Sequence, residues 1–405
     1  MACVGRQAGS ECLRKQNEKD YYDYNLIAVI ILLIGFGLVM LYSTTAYRAG
    51  IRFSDDMYFL RKQAVFAAFS ILVAVLLSFV DYHILWKLSG VIYVLSLLLL
   101  FVVRFTPLGL RINGAKRWLS LGPLSFQPSE ACKVAVIVFV PMLIIRMGRS
   151  FRELKGCIMP IAAGGIQALA VFVLTSNLST AFIIFCITAV IVFVAHPETG
   201  KLLLIAAGCA AVAAVVLMAI IFSGGKGGFR SMRIMVWLRP EEYASQGGYQ
   251  IMQALYAIGS GGLFGKGLGN GIQKLSAVPE AENDMIFSII CEELGIFGGV
   301  IVILLFIYLL YRLLFISQNA PDLYGSLMVT GVFAHIAVQV IMNICVVTNV
   351  IPTTGVTLPF VSYGGTSLFF LMMEMAIALS VSRRIHSRNK ETDLWGEVAE
   401  PLADD

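Results

Sequence analysis

Six ionisable side chains lie within long apolar segments or at their ends, where an ionised group is costly. Each of them adjoins or interrupts a run of hydrophobic residues, unlike an ordinary surface charge. A residue in such a place is by default either functional, for example by accepting a proton, or one half of an ion pair. The six are Glu130, Lys133, Asp284, Glu292, Glu293 and Glu374.

Several of these residues also have a purely structural interpretation. Glu130 and Lys133 are three positions apart on one helix face, so they could neutralise each other. Asn283 or Asp284 could cap the helix that follows, and the residues alone favour this capping interpretation. His335, inside another apolar segment, is more typical of a polar contact between helices than of a catalytic group.

The elements that must position these residues are membrane helices. Of the 405 residues, 58% are hydrophobic and 14% charged, against roughly 25% charged in soluble domains. The apolar residues form runs of about 20, the length that crosses about 30 Å of hydrocarbon. We therefore predict an all-α polytopic membrane protein with about ten transmembrane helices. The runs are 25–45, 63–80, 84–103, 129–146, 157–174, 178–195, 202–222, 284–316, 324–347 and 366–381.

The distribution of charge predicts the orientation of these helices. Basic residues cluster in 6–19, 146–155 and 383–390, which the positive-inside rule places in the cytoplasm. The prediction is thus a cytoplasmic tail of 1–24, a membrane domain of 25–384 and a cytoplasmic tail of 385–405. Two long loops, about 104–128 and 223–283, then lie outside, the second between the seventh and eighth helices.

The outer loops are unexpectedly basic. Long loops cross the membrane largely regardless of charge, so these residues need have no function. Alternatively, they hold an anionic ligand at the outer face. The net charge of +5 also favours anionic lipid on the inner side, and nucleic acid is not implied. The basic residues are Arg104, Arg111, Lys116, Arg117, Lys226, Arg230, Arg233, Arg239, Lys266 and Lys274.

A glycine-rich segment, 259–271, superficially resembles a phosphate-binding loop. Ser260 stands where the P-loop pattern needs its first glycine, six residues before Lys266, so the pattern fails. The glycines instead predict tight turns or close backbone approach at the membrane surface. The preceding residues, 249–258, have the apolar spacing of a helix that lies along the membrane surface.

Several sequence blocks resemble the shape, elongation, division and sporulation (SEDS) family, which includes FtsW, SpoVE and RodA. They occur in family order across almost the whole chain. The blocks at 260–269 and 342–349 are more similar to the division and sporulation branch than to RodA. The blocks are GAKRWLSLG at 114–122, QPSE at 127–130, AIGSGG at 257–262, EELG at 292–295 and LPFVSYGGTS at 358–367, with Pro279, Glu280 and Asp284.

This resemblance implies a glycosyltransferase that polymerises lipid II, the undecaprenyl-pyrophosphate-linked disaccharide peptide. The acceptor's 4-hydroxyl would attack the anomeric carbon of the donor chain, and the lipid pyrophosphate would leave. Asp284 occupies the position of the family's essential aspartate, where it would act as the general base. A divalent cation, Mg²⁺ or Mn²⁺, could assist, although the sequence has no clear ligand set. The substrate-binding candidates are Lys116, Arg117, Glu130, Lys133, Arg233, Arg239, Ser362 and Tyr363.

The resemblance also implies partners: a class B penicillin-binding protein as the transpeptidase, and other division proteins. Two other functions fit a polytopic bundle with buried charges, namely a lipid II flippase or other transporter, and a noncatalytic division scaffold. The chain departs from the family at Asn177, where many members carry an aspartate. Asn177 could still cap the following helix.

Overall fold

The computed structural model describes residues 23–112, 115–121, 124–204, 207–208, 229–275 and 278–385. Within these residues the chain is mainly helical, with short 3₁₀ turns in the connections. The α-helices are α1 (Tyr24–Phe53), α2 (Tyr58–Ser78), α3 (His83–Phe105), α4 (Pro128–Met147), α5 (Ile158–Thr175), α6 (Leu178–Ala195), α7 (Phe229–Leu238), α8 (Gly248–Gly261), α9 (Ile286–Gln318), α10 (Leu323–Val347) and α11 (Gly365–Ser382).

Nine of the helices in the described residues are long and apolar enough to cross a membrane. They are α1 to α6 and α9 to α11, and they confirm nine of the ten predicted runs. The run at 178–195 has the same bounds as α6. The run at 202–222 lies almost entirely outside the described residues. The protein is therefore a multi-pass membrane protein, as its composition predicts.

The loop at 104–128 contains a small sheet, which the all-α prediction did not include. Strands β1 (Gly109–Ile112), β2 (Ala115–Leu121) and β3 (Leu124–Phe126) pair antiparallel in that order. Leu119 stands opposite Gly109 on one side and Phe126 on the other, and its side chain is buried. Two short connections thus turn the loop into a compact three-stranded element that rests on the ends of the helices.

Three helices form the centre of the bundle. In α4, α10 and α11, between 67% and 72% of the residues in the apolar stretch of the helix are buried inside the protein. In the other six membrane helices this share is 22% to 44%. The outer helices expose leucine, isoleucine and phenylalanine side chains, which suits contact with lipid. Glu130, Lys133, His335 and Glu374 all lie on the central helices and are buried there.

Helix α9 is broken by a glycine. Gly295 has a φ of 71° and a ψ of −172°, which are not helical angles. The break lets the glycine-rich segment 259–271 approach the backbone of α9. A Cβ on Gly265 would stand 2.2 Å from the carbonyl oxygen of Glu293, and one on Gly295 would stand 2.3 Å from that of Leu263. The predicted close approach is confirmed.

Candidate active site around Asp284

Asp284 lies two residues before the first residue of α9 and does not cap it. The helix begins at Ile286, with Met285 at the N-cap position and no side-chain cap. The capping interpretation of Asn283 and Asp284 is therefore wrong. The Asp284 side chain is 9% exposed, and its Oδ1 has no hydrogen-bond partner within the described part of the chain. A buried carboxylate oxygen without a partner is a feature that requires an explanation.

The loop before α11, residues 352–364, holds the backbone of this segment in place. The Ser362 hydroxyl donates to the carbonyl of Asn283 at 2.6 Å and accepts from the amide of Leu358 at 2.8 Å. The amide of Tyr363 donates to the carbonyl of Glu282 at 2.9 Å. Ser362 and Tyr363 thus contact the catalytic candidate's own segment, and their predicted binding of substrate stays a prediction.

Two further contacts fix the position of Asp284 itself. The side-chain amide of Asn343, on α10, donates to the carbonyls of Asp284 and Val356, both at 2.8 Å. Gly355 has a φ of +70°, and a Cβ there would lie 3.9 Å from Oδ2 of Asp284. Asn343 was not among the predicted site residues. The one feature of the sequence that could have indicated it is a polar side chain inside an otherwise apolar run.

The surroundings of Asp284 make it a stronger base than an ordinary aspartate. The pKa of Asp284 is raised from 3.8 to about 7, mainly by burial and in part by the carboxylates of Glu280 and Glu282, while Arg233 opposes the increase. A nearby helix N-terminus favours the ionised carboxylate and burial disfavours it; here the effect of burial is the larger. A general base works best when its pKa lies near the working pH.

Two of the predicted cations lie at this end of the bundle. The Arg233 guanidinium, on α7, donates to the carbonyl of Thr353 at 3.1 Å. Arg117, on β2, donates to the carbonyls of Thr175 at 3.2 Å and Ser176 at 2.9 Å. Burial lowers the pKa of Arg117, and the positive charge of Arg233 lowers it further. The positive charges of Arg117 and Arg233 therefore repel each other. The positive charge of Arg233 also favours the ionised form of Asp284.

The other predicted cations have different surroundings. Lys116 lines a separate cavity beside the sheet. Arg239 carries an exposed guanidinium, 69% accessible, that is 3.3 Å from Glu242. Lys266 and Lys274 are ion-paired with the buried Glu292 and Glu293 at 2.7 Å and 2.6 Å. Part of the basic excess in the outer loops is therefore structural. Lys226 lies outside the described residues, as does the side chain of Arg230.

Glu130 and Lys133 form the predicted local ion pair. Their charged atoms are 2.9 Å apart, and both side chains are almost completely buried. Lys133 also contacts Oε1 of Gln339 at 3.4 Å, and the Ser367 hydroxyl donates to Glu130 at 3.3 Å. The pair therefore joins α4 to both α10 and α11, and a role in substrate binding stays a prediction for both residues.

His335 makes the predicted polar contact between helices. Its Nδ1 is 2.7 Å from Oε2 of Glu374, and its Nε2 is 2.8 Å from Oε1 of Gln339. Gln339 in turn donates to the carbonyl of Thr357 at 3.0 Å. A continuous chain of buried polar contacts thus connects the membrane centre to the loop that holds Asp284.

Asn177 keeps the capping role expected of it. Its side chain accepts from the amide of Thr180 at 3.2 Å and caps α6. The neighbouring Ser179 hydroxyl donates to the carbonyl of Thr354 at 2.8 Å. The start of α6 is therefore attached to the same loop that Arg233 contacts, although the family's carboxylate is missing.

The described residues contain no group of three or more His, Cys, Asp or Glu side chains that could hold a metal ion. Glu280 and Glu282 raise the pKa of Asp284 but do not form a ligand set with it. These side chains by themselves do not fit a site for Mg²⁺ or Mn²⁺.

The sequence and the fold both match known proteins over most of the chain. A family model described as a cell cycle protein, FtsW/RodA/SpoVE, matches residues 23–387. The chain belongs to the FtsW/RodA/SpoVE family. This is the SEDS family whose motifs the sequence contains, and the match covers Asp284 and both basic loops.

Individual members of this family are similar to the chain over most of its length. Stage V sporulation protein E of Bacillus subtilis is 36% identical, over 89% of this chain and 97% of that protein. A probable peptidoglycan glycosyltransferase FtsW of Trichlorobacter lovleyi is 34% identical, over 92% and 96%. Both come from the division and sporulation branch, as the blocks at 260–269 and 342–349 predict.

Two solved structures share the fold. A chain from a peptidoglycan synthase complex, studied for its coordination of polymerization and crosslinking, has a TM-score of 0.74 and 28% identity. The rod shape determining protein RodA of Thermus thermophilus has a TM-score of 0.65 and 27% identity. Each match covers 90% of this chain and 98% of the other. The fold is therefore that of the SEDS family.

Proposed function

We propose that this protein is a peptidoglycan glycosyltransferase that polymerises lipid II into glycan strands, in cell division or sporulation. Curated relatives carry the name peptidoglycan glycosyltransferase FtsW, and a structural neighbour belongs to a peptidoglycan synthase complex. The observation that carries the proposal is the state of Asp284. Its carboxylate is buried, one oxygen lacks a partner among the described residues, and its pKa is raised to about 7.

In the proposed reaction, Asp284 accepts the proton of the acceptor's 4-hydroxyl as that oxygen attacks the donor's anomeric carbon. The new O4–C1 bond forms while the bond from C1 to the lipid diphosphate breaks, and the diphosphate leaves with the electron pair. General-base assistance of this kind contributes about 10²–10⁴-fold. Arg117 and Arg233 would stabilise the negative charge of the departing diphosphate.

The proposed location of the reaction is the outer face of the cytoplasmic membrane, with both termini in the cytoplasm. The positive-inside rule supports this orientation. A class B penicillin-binding protein is the proposed crosslinking partner, alongside other division proteins, because the structural neighbour comes from a synthase complex that both polymerises and crosslinks. A requirement for Mg²⁺ or Mn²⁺ stays a prediction, tested by removal with EDTA and re-addition.

The test is a lipid II polymerisation assay on purified protein. The parent should build glycan strands, whereas Asp284→Asn should lose at least about 10²-fold in rate because an amide cannot accept the proton. Asparagine preserves size and shape, so thermal stability should be maintained. Glu280→Gln is the neighbouring control and should retain polymerisation.

The polymerisation assay and a measurement of lipid II translocation across vesicles together separate the alternative functions. A parent protein that translocates lipid II across vesicles but makes no glycan would be a transporter. One that does neither would be a scaffold. A well-folded Asp284→Asn variant that builds long strands would show that Asp284 is not the general base, although the protein would still be a transferase.

A further inference from the structure

Arg48, near the end of α1, holds the turn that leads to Asp284. Its Nη1 donates to both carboxylate oxygens of Glu282, at 3.1 Å and 3.0 Å, and its Nη2 donates to the carbonyl of Val278 at 3.2 Å. One guanidinium therefore joins the two ends of the segment 278–282. Asp284 is two residues beyond Glu282, so Arg48 acts next to the candidate base.

The turn has a backbone conformation that needs support. Glu280 has a φ of +54°, in the left-handed region that residues other than glycine rarely adopt. Such a conformation persists only where the surroundings fix it. Part of the support is local, because the amide of Asn283 donates to the carbonyl of Glu280 at 3.0 Å. The side chains of Val278 and Ala281 are also fully buried. Arg48 adds the contact that joins the two sides of Glu280.

Glu282 is the residue where two distant elements meet. Its side chain contacts Arg48 of α1, and its backbone carbonyl accepts from the amide of Tyr363, in the loop before α11, at 2.9 Å. The Glu282 side chain is 16% exposed and that of Arg48 is 33% exposed, and salt screens a partly buried pair less than an exposed one. Tyr363 carries no charge near neutral pH, because burial raises its pKa from the ordinary value of 10.0. Arg48 therefore supplies the charge opposite to that of Glu282.

Charged groups from several elements act on Asp284, and Glu282 is one of them. Burial contributes most to the raised pKa of Asp284, and the carboxylates of Glu280 and Glu282 contribute in part. Arg233 of α7 acts in the opposite direction. Because Arg48 is paired with Glu282, its positive charge offsets part of the negative charge that Glu282 places near the base.

We propose that Arg48 is a positioning residue for the candidate base: it holds the turn before Asp284 in place and neutralises Glu282, so that less negative charge opposes ionisation of the base. This inference rests on the proposed function, since it assigns Arg48 a role in the same reaction. Arg48 acts through the turn and through Glu282, and the proposal gives it no contact with the substrate.

The test is the pH profile of polymerisation, measured on purified variants. In Arg48→Gln, the negative charge of Glu282 is no longer offset and should raise the pKa of Asp284, so less of the base is deprotonated at low pH. The loss in kcat/KM should therefore be at least about threefold greater at pH 6 than at pH 8.5. Glu282→Gln removes the negative charge itself, so its profile should move in the opposite direction, to lower pH.

Two further variants separate the charge of Arg48 from its geometry. Arg48→Lys keeps the positive charge but cannot contact Glu282 and Val278 with one planar group, so the rate should fall to a similar extent at every pH. In Glu282→Gln there is no negative charge for Arg48 to offset. Adding Arg48→Gln to that variant should therefore leave the midpoint of its pH profile unchanged.

Arg61→Gln is the matched control. Arg61 lies near the start of α2, at the same end of the bundle, 3.2 Å from Asp55, and its side chain is 68% exposed. This variant should match the parent in rate and in pH profile. Melting temperatures of the same samples show which variants are folded. If Arg48→Gln does not fold, Arg48→Lys and Glu282→Gln decide the outcome, because each has its own expected profile.

Three results would overturn the inference. The first is a folded Arg48→Gln variant with the parent's rate and profile. The second is a Glu282→Gln profile that does not move to lower pH. The third is an equal shift on adding Arg48→Gln to the parent and to Glu282→Gln, because Arg48 would then act without Glu282. All three leave the proposed function intact if the parent polymerises and Asp284→Asn does not. A parent that forms no glycan would instead remove the proposed function, and this inference with it.

Discussion

Asp284 has a buried carboxylate, and the charged side chains of Glu280, Glu282 and Arg233 act on it. Ionisation in a buried site is unfavourable, and this burial, together with the negative charges of Glu280 and Glu282, raises the pKa of Asp284 to about 7. The same surroundings that disfavour the charge make the carboxylate able to accept a proton. At neutral pH both protonation states are populated, so the rate should depend on pH.

The pH profile is the first test at this scale. Because only the deprotonated Asp284 can act as base, kcat/KM should rise with pH, about tenfold per unit below pH 7, and become constant above it. Glu280→Gln removes a charge that raises the pKa of Asp284, so its profile should shift to lower pH. The measurement is polymerisation between about pH 5.5 and 8.5. A profile that is flat across this range would contradict the assignment.

At the residue scale, the sequence motif pointed to Asp284 as the catalytic candidate, and that assignment stays a prediction. The residues alone favoured helix capping, which the structure contradicts. Capping depends on where the helix begins, and it begins two residues later, at Ile286. The electrostatic result depends on Arg233, which is distant in sequence, and on burial by other helices. Neither can be determined from local spacing.

The glycine-rich segment and α9 form one structural element that fixes where Asp284 lies. Glu292 and Glu293 are completely buried; Lys266 of the segment pairs with Glu292, and Lys274, three residues after the segment, pairs with Glu293. The amides of Ile272 and Gly269 also donate to these carboxylates, at 2.9 Å and 3.1 Å. A buried carboxylate needs such partners. The segment can supply them only because its glycines let the two backbones meet.

Two glycines in α8 test this element with the same substitution. A Cβ on Gly261 would stand 2.0 Å from the carbonyl oxygen of Cys291, whereas one on Gly259 would meet nothing within 4 Å. Gly261→Ala should therefore separate α8 from α9, lowering the melting temperature by several degrees and reducing polymerisation. Gly259→Ala should be neutral or slightly stabilising, because alanine favours the helix by about 0.5–1 kcal/mol.

Melting is followed by fluorescence in detergent, with rates measured on the same samples. Equal melting temperatures for the two alanine variants would show that the contact between α8 and α9 contributes little to the fold.

At the element scale, apolar runs predicted the membrane helices because lipid demands a fixed length of apolar chain. The three-stranded sheet was missed because its strands have only 4, 7 and 3 residues, too few for a clear alternation of polar and apolar residues. The Asn113-Gly114 pair is a hairpin signal that could have indicated it.

The whole bundle has a polar centre as well as a polar end. Glu130, Lys133, His335 and Glu374 connect α4, α10 and α11 through buried contacts. Polar contacts between membrane helices are worth about 0.6–2 kcal/mol each, so the network specifies how the central helices pack. Through Gln339 it also reaches the loop at 352–364. The sequence identified these charges but could not predict their partners, which come from different helices.

The antiparallel helices α1 and α9 define the two ends of the molecule. Near one end, Arg48 pairs with Glu282 at 3.0 Å, two residues from Asp284. Near the other, Arg312 pairs with Asp23 at 2.6 Å. Arg384 and Asp81, 2.8 Å apart, connect the end of α11 to the start of α3. The positive-inside rule predicts that the end with Arg384 and Arg146 is cytoplasmic, and Asp284 is then expected at the outer end.

Cysteine labelling tests this orientation on the whole molecule. Ser120 lies on β2 and Ser245 in the connection before α8, at the end with Asp284, whereas Ser150 follows α4 at the opposite end. In intact cells, a membrane-impermeant maleimide should label Ser120→Cys and Ser245→Cys but not Ser150→Cys. Permeabilised cells should label all three, which shows that Ser150→Cys is reactive once the reagent can reach it. The parent supplies the background: Cys132, Cys157 and Cys291 are buried, whereas Cys186 and Cys345 are partly exposed, so labelling of the parent is subtracted from that of each variant. Labelling of Ser150→Cys in intact cells would invert the bundle and place Asp284 in the cytoplasm, where an outer-face polymerase could not work.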